Sequence, residues 1–160
     1  MVEKRKIVRI KCICFVMYCS LLFAILFFRR IPTSLDLEHY RYWSRILDNI
    51  NIIPFDTIAY QFHDIIFDTG YYEILAILNL SANIMMFVPM GVFLPLLWKN
   101  LRKFFSCIFM GALIIIVVEI VQLFSLLGSF DVDDIILNLI GIIIGFLLYR
   151  GLCFLRSKLF

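Results

Sequence analysis

Six polar side chains lie inside otherwise apolar stretches of this chain, and they form three pairs. The members of each pair are three or four positions apart, so they share one face if the stretch is a helix. The pairs are Asn79 with Asn83, Glu119 with Gln122, and Asp134 with Asn138. Amides of this kind hydrogen-bond polar headgroups, and carboxyl groups add acid–base chemistry or cation binding.

Glu119 is the most informative of these residues, because a charge at the bilayer centre costs about 2.5–3.5 kcal/mol on insertion scales. Its carboxyl group must therefore take up a proton or face a polar interior. We place it about eight residues, or roughly 12 Å, from the outer end of its span. The other two pairs fall in the outer halves of their spans. We therefore predict one polar pocket that three helices line and that opens outward.

Each polar residue also has a purely structural interpretation. Buried amides link helices, with a gain of about 0.6 kcal/mol each. Asp131 would cap a helix, and the dipole of that helix would favour Asp133 and Asp134 in its first turn. Sequence leaves both interpretations open, and we count Asp131 and Asp133 with the three pairs as candidate ligand-binding residues.

Apolar stretches dominate the elements that must position these residues. The chain has 160 residues and is 63% hydrophobic, against about 45–50% for soluble domains. This composition excludes an ordinary soluble domain and a disordered chain. Four segments approach the roughly 17–25 residues that a spanning helix needs, and they are 12–28, 74–98, 104–127 and 135–155. We predict a single all-α membrane domain over residues 1–160. No small-x-small cleavage pattern follows the first span, so we interpret it as uncleaved.

Charge is distributed unevenly between the connecting segments. The N-terminus, the loop after the second span and the C-terminal end hold 11 of the 15 basic residues. The outer loop 29–73 and the short loop 128–134 hold ten of the 12 acidic residues. Because positive loops stay in the cytoplasm, both termini are predicted to be on the cytoplasmic side of the membrane. The net charge of +3 is too small to indicate nucleic-acid binding.

The outer loop contains two amphipathic segments. One is predicted to start a helix at Ser34 and to continue through Trp43 to Leu47 at the membrane surface. The other covers 55–67, with Pro54 at its first helical position. His39 and His63 lie in this loop without ligand spacing and are predicted to be surface residues. The five cysteines are odd in number and are interpreted as small packing residues.

Proline and glycine residues inside the spans indicate how the helices pack. Pro89 leaves the carbonyl of Met85 without its helical donor and kinks the second span. Gly141 and Gly145 form a small-xxx-small pair that allows close approach of another helix.

Three ordered stretches resemble the VanZ-like family of small bacterial membrane proteins, over about residues 50–148. The first runs from Asn51 through Pro54 and Phe55 to Thr57. The second covers 83–91, including Pro89 and Gly91, and is followed by Pro95. The third joins Glu119 and Gln122 to the run 130–138 and to Gly141. Many members carry an Arg shortly before the F-D-x-D-D run, where this chain has Leu127, Gly128 and Ser129.

The resemblance implies a multi-pass protein of the bacterial cytoplasmic membrane with a role in the cell envelope. It also implies a link to resistance against glycopeptide antibiotics, chiefly teicoplanin, through the family's namesake. The implied partners are membrane lipids and, with them, a lipid-linked wall precursor or a glycopeptide. The oligomeric state stays open and includes a homo-oligomer.

Three classes of function fit these observations. The first is a non-enzymatic accessory or binding protein whose polar pocket takes a lipid-linked or amphiphilic ligand. The second is an intramembrane enzyme that acts on a lipid-linked envelope precursor, and the third is a small transporter. The spans hold no His and no nucleophile beside a base, which favours binding. We predict no resident cofactor, although a divalent cation would suit the acidic run.

Overall fold

The computed structural model describes residues 2–28, 39–67 and 70–159. The α-helices in this part of the chain are α1 (Val2–Phe28), α2 (His39–Asp48), α3 (Asp56–Phe67), α4 (Tyr71–Leu97), α5 (Phe104–Phe124) and α6 (Val132–Leu159). A 3-10 helix, Lys99–Arg102, joins α4 to α5. Two short strands, β1 (Ile50–Asn51) and β2 (Phe130–Asp131), pair in parallel.

Helices α1, α4, α5 and α6 are each long and apolar enough to cross a membrane. They confirm the prediction of an all-α protein with four spanning helices. Because apolar residues occur on every side of these helices, burying them from water requires lipid as well as protein.

Helix α5 ends earlier than predicted, at Phe124 rather than near residue 127. Leu126 adopts a φ of 55°, and the Leu127 N–H donates to the Gln122 carbonyl at 3.1 Å. This is the left-handed type of helix end, which usually carries Gly. Because this position is a leucine and not a glycine, the sequence does not indicate that the helix ends here. Glu119 therefore lies about five residues, or roughly 8 Å, from the helix end, nearer than predicted.

Helices α4 and α6 run parallel and form the closest packing in the bundle. A Cβ atom built on Gly145 would overlap the backbone carbonyl of Val88, and one on Gly141 would overlap that of Ile84. Gly91 on α4 has the same relation to the carbonyl of Ile142. All three positions therefore bring backbone directly against backbone, as a small-xxx-small interface does.

Helix α1 is attached more loosely and exposes most of its apolar side chains. The Tyr18 hydroxyl donates to the Met86 carbonyl at 2.7 Å, next to the carbonyl that Pro89 leaves without a donor. The Phe15 ring lies 5.5 Å from the Trp98 ring between centroids. Helix α1 is thus antiparallel to α4. Residues 3–11, 99–103 and 150–158 meet at one end of the bundle, which we call the basic end.

The opposite end, which we call the acidic end, carries α2, α3 and the strand pair. The Tyr42 hydroxyl donates to the Phe124 carbonyl at 2.8 Å, and Ile46 is buried while Trp43 and Leu47 stay exposed. A membrane-surface location for α2 stays a prediction, and its predicted start at Ser34 lies outside the described residues.

Two sequence interpretations need correction. Pro54 is not the first residue of a helix, because α3 begins at Asp56 after a turn in which Phe55 adopts a φ of 68°. Cys107 packs in the core as predicted, but three other cysteines are exposed on the helix surfaces, namely Cys12, Cys14 and Cys153. His63 is a surface residue as predicted, since its side chain is 65% exposed.

Candidate functional site

A cavity of about 170 Å³ lies at the acidic end of the bundle. Its apolar walls come from Ile25 and Leu26 of α1 and from Ala82 and Met86 of α4. Its polar walls are formed by Thr57, Gln61, Asn79, Asn83, Glu119, Gln122, Ser129, Asp131, Asp134 and Asn138. Most of the cavity wall is therefore polar, and the apolar part comes from α1 and α4.

The structure brings all three predicted polar pairs to this cavity. Helix α4 contributes one pair, α5 the second and α6 the third. Glu119 and Asn138 are each only 3% exposed. Because the two members of each pair face the same way, three helices suffice to surround the space with polar groups.

Side-chain amides at the cavity form hydrogen bonds that cross between helices. Asn83 Nδ2 donates to Asp134 Oδ1 and joins α4 to the start of α6. Gln122 Nε2 donates to the Leu26 carbonyl at 3.3 Å and joins α5 to the last turn of α1. The carbonyls of a last helical turn have no partner within their own helix. Gln122 therefore links two helices in addition to lining the cavity.

Asp131 caps α6 and lines the cavity with the same carboxylate. Its Oδ1 accepts the Asp133 N–H at 2.9 Å, which is the bond of an N-cap residue. Its Oδ2 accepts the Thr57 hydroxyl proton at 2.7 Å, and Thr57 Oγ1 in turn accepts from Asn51 Nδ2 at 3.0 Å. This chain of bonds fixes α3 against the cavity rim.

Asp133 has a different role from the one its sequence position suggested. It is fully buried and does not line the cavity. Its Oδ1 accepts the Phe55 N–H at 2.6 Å, and its Oδ2 accepts the Ile58 N–H at 2.9 Å. These donors lie at the N-terminus of α3, whose own N-cap, Phe55, has no acceptor side chain. Asp133 of α6 therefore supplies the cap that α3 lacks.

Two buried acceptor atoms at the cavity have no hydrogen-bond partner within the described residues. They are Asn138 Oδ1 and Gln61 Oε1. Buried polar atoms in folded proteins are nearly always hydrogen-bonded, to protein or to a bound molecule. Both atoms are therefore positioned to accept a hydrogen bond from a molecule in the cavity.

Sequence reasoning did not assign Thr57, Gln61 or Ser129 to the site. Thr57 and Gln61 are four positions apart on α3, which is the same spacing as two of the predicted pairs. This signal was present, but 55–67 was interpreted only as an amphipathic helix of the outer loop.

Acidic groups dominate the electrostatics of the cavity. Three carboxyl groups line it, from Glu119, Asp131 and Asp134, and among the residues that the structure describes no Lys, Arg or His does. Within the described residues, no group of three or more His, Cys, Asp or Glu side chains is arranged to hold a metal ion. The acidic run is dispersed because Asp133 turns to α3 while Asp131 caps α6.

The profile of the VanZ/LLP1 family matches residues 15–156 of the chain. The match begins within α1 and continues into the last turns of α6, so it extends beyond the stretch 50–148 on both sides. No curated protein and no solved structure matches the chain. Because the family match covers most of its length, this multi-pass membrane protein belongs to the VanZ/LLP1 family.

Proposed function

We propose that this protein is a non-enzymatic binding protein of the bacterial cell envelope. Its polar cavity takes the headgroup of an amphiphilic molecule, while the apolar wall from α1 and the surrounding lipid take the tail. Lipid-linked wall precursors and the lipid-bearing glycopeptide teicoplanin are amphiphiles of this class. A part in glycopeptide resistance would follow from capture of such a molecule at the membrane.

The observation that carries this proposal is the pair of buried acceptor atoms, Asn138 Oδ1 and Gln61 Oε1, beside a cavity of about 170 Å³. One water needs only about 10–15 Å³ of probe-occupied space, so the cavity has room for a larger polar group. Concave sites with a few converging polar groups and apolar walls are typical of small-molecule binding.

The lining also indicates the chemistry of the headgroup. Carboxyl and amide groups that accept hydrogen bonds or attract a positive charge dominate it, and no basic side chain in the described part of the chain balances them. A bare phosphate would meet like charge. We therefore expect the bound headgroup to present hydroxyl, amide or amine groups, as sugars and amino sugars do.

Catalysis has less support than binding at this site. Nucleophilic catalysis needs a Ser, Cys or Lys activated by a neighbouring base. Ser129 is the one such residue among the lining residues described, and no histidine lines the cavity beside it.

The direction in which the cavity opens is a further part of the proposal. The basic end is expected in the cytoplasm and the acidic end outside, because positive segments resist translocation. Green fluorescent protein fused after Phe160 should then fluoresce, and alkaline phosphatase inserted at Ile52, an exposed residue, should be active. The reverse pattern in the same cells would contradict the orientation and leave the cavity on the cytoplasmic side.

Removing one charge from the cavity should weaken ligand binding. We expect Glu119→Gln and Asp134→Asn each to reduce affinity for teicoplanin or a lipid-linked wall precursor by about tenfold or more, since hydrogen bonds to charged groups contribute about 1.5–3 kcal/mol. Binding would be measured by native mass spectrometry on the full chain in detergent.

Matched controls for this experiment are Glu73→Gln on α4 and Asp56→Asn on α3, which remove the same charges outside the cavity. They should bind like the wild-type protein. Equal affinity in all four variants would remove the cavity from the binding function. A loss of affinity on adding a chelator would instead identify a bridging cation.

A further inference from the structure

A second cavity, of about 300 Å³, lies at the basic end of the bundle, far from the polar cavity. One wall is the 3-10 helix after α4, and the other is the last turns of α6. The lining residues are Arg102, Tyr149, Arg150, Cys153, Phe154 and Ser157. We call this space the arginine cleft.

Hydrogen-bond donors dominate the arginine cleft. The Arg102 guanidinium uses one donor, Nε, on the Pro95 carbonyl at 3.4 Å, which leaves its terminal N–H groups for another partner. Within the described residues, neither Arg102 nor Arg150 forms an ion pair with an acidic side chain. Two guanidinium groups without an acidic partner are suited to bind a phosphate.

The depth of the cleft matches the headgroup layer of a membrane. Arg150 lies about 18 residues after the start of α6, which is roughly 27 Å along the helix. The hydrocarbon core is about 30 Å thick, so a helix that starts at one boundary brings Arg150 close to the other. Leu152 and Phe154 beside the cleft are exposed apolar residues and are placed to contact acyl chains.

We propose that the arginine cleft binds the phosphate of an anionic membrane lipid. Arg102 and Arg150 contact the phosphate, and the acyl chains lie along the exposed face of α6. Basic pockets between spanning helices at the positive side of a membrane protein bind anionic headgroups by the same physics. This site is separate from the polar cavity and does not depend on the function proposed for it.

Native mass spectrometry of the full chain with phosphatidylglycerol and with phosphatidylcholine tests this assignment. The wild-type protein should bind phosphatidylglycerol more tightly. Replacing both arginines, in Arg102→Gln with Arg150→Gln, should weaken phosphatidylglycerol binding by about tenfold or more, because it removes both positive charges that attract the anionic headgroup.

The matched control is Arg9→Gln with Arg156→Gln. It removes two exposed charges from the same end of the bundle without touching the cleft, and its binding should stay within about twofold of wild type if the site is specific. An equal loss in the control, or equal binding of both lipids by the wild-type protein, would overturn the proposal.

A second variant keeps the test decisive if the double replacement fails to fold. Arg150→Gln alone removes one exposed guanidinium group from the cleft and should weaken phosphatidylglycerol binding severalfold; unchanged binding would overturn the proposal. Inorganic phosphate that displaces the lipid would show that the arginines recognise phosphate from either source, whereas retention of the lipid in millimolar phosphate would show that acyl-chain contact is also required.

Discussion

Gly145→Leu should force α4 and α6 apart and strongly destabilise the bundle. The Cβ atom at this position would overlap the Val88 carbonyl oxygen and lie 2.9 Å from the Gly91 Cα atom. These are backbone atoms in a helix, so no side-chain rotation relieves the overlap. Overpacking in a core typically costs about 1–3 kcal/mol, and we expect the upper end of this range or more.

Gly151→Leu is the matched control, because it lies on the same helix and a Cβ atom there meets nothing within 4 Å. Both variants gain the same helix propensity, since leucine replaces glycine in each. Thermal unfolding in detergent should therefore show a lower midpoint for Gly145→Leu and a midpoint at or above wild type for Gly151→Leu. Equal midpoints for the two variants would show that the close contact between α4 and α6 does not limit stability.

Asp133→Ala should release α3 from the bundle. The carboxylate is fully buried and accepts the N–H groups of Phe55 at 2.6 Å and Ile58 at 2.9 Å. Alanine removes the acceptor from both donors. Hydrogen bonds to charged groups contribute about 1.5–3 kcal/mol, so we expect a loss of about 3 kcal/mol and faster amide hydrogen exchange in residues 55–60.

The control for this prediction is Asp56→Ala, an exposed acid in the first turn of the same helix. It removes a favourable interaction with the helix dipole, worth about 0.3–1 kcal/mol at an exposed site, and should change exchange only slightly. If residues 55–60 of Asp133→Ala exchange as slowly as in wild type, the bonds to Asp133 do not hold α3 in place. Because α3 carries Thr57 and Gln61, ligand binding should weaken together with its release.

The spanning helices could be predicted from the sequence because bilayer thickness sets their length and composition. The ends of these helices could not be predicted as well. The stop of α5 depends on a left-handed Leu126, which has no compositional signal. The start of α6 did carry a signal, because Asp131 caps it with a bond from the Asp133 N–H, as its sequence position predicted.

The polar pairs of the candidate site could also be predicted, since spacing puts both members of a pair on one helix face and depth places the pairs at one level. Spacing does not reveal which side chains of an acidic run point into the cavity. Asp131 and Asp134 reach it, whereas Asp133 turns away to cap α3. The position of α3 decides this, and it follows from the parallel pairing of Ile50 with Phe130 and of Asn51 with Asp131.

By itself, then, the sequence determined that this chain has four membrane-spanning helices, a basic end and three polar helix faces, because each of these properties is local or periodic. Only the tertiary structure decided which acids of the run 131–134 line the cavity and which one caps α3. It also decided that α3 completes the polar cavity. It also brought Arg102 beside Tyr149 and Arg150 to form a cleft at the other end. These arrangements join residues about 50 to 80 positions apart, and contacts at that separation depend on how whole helices pack.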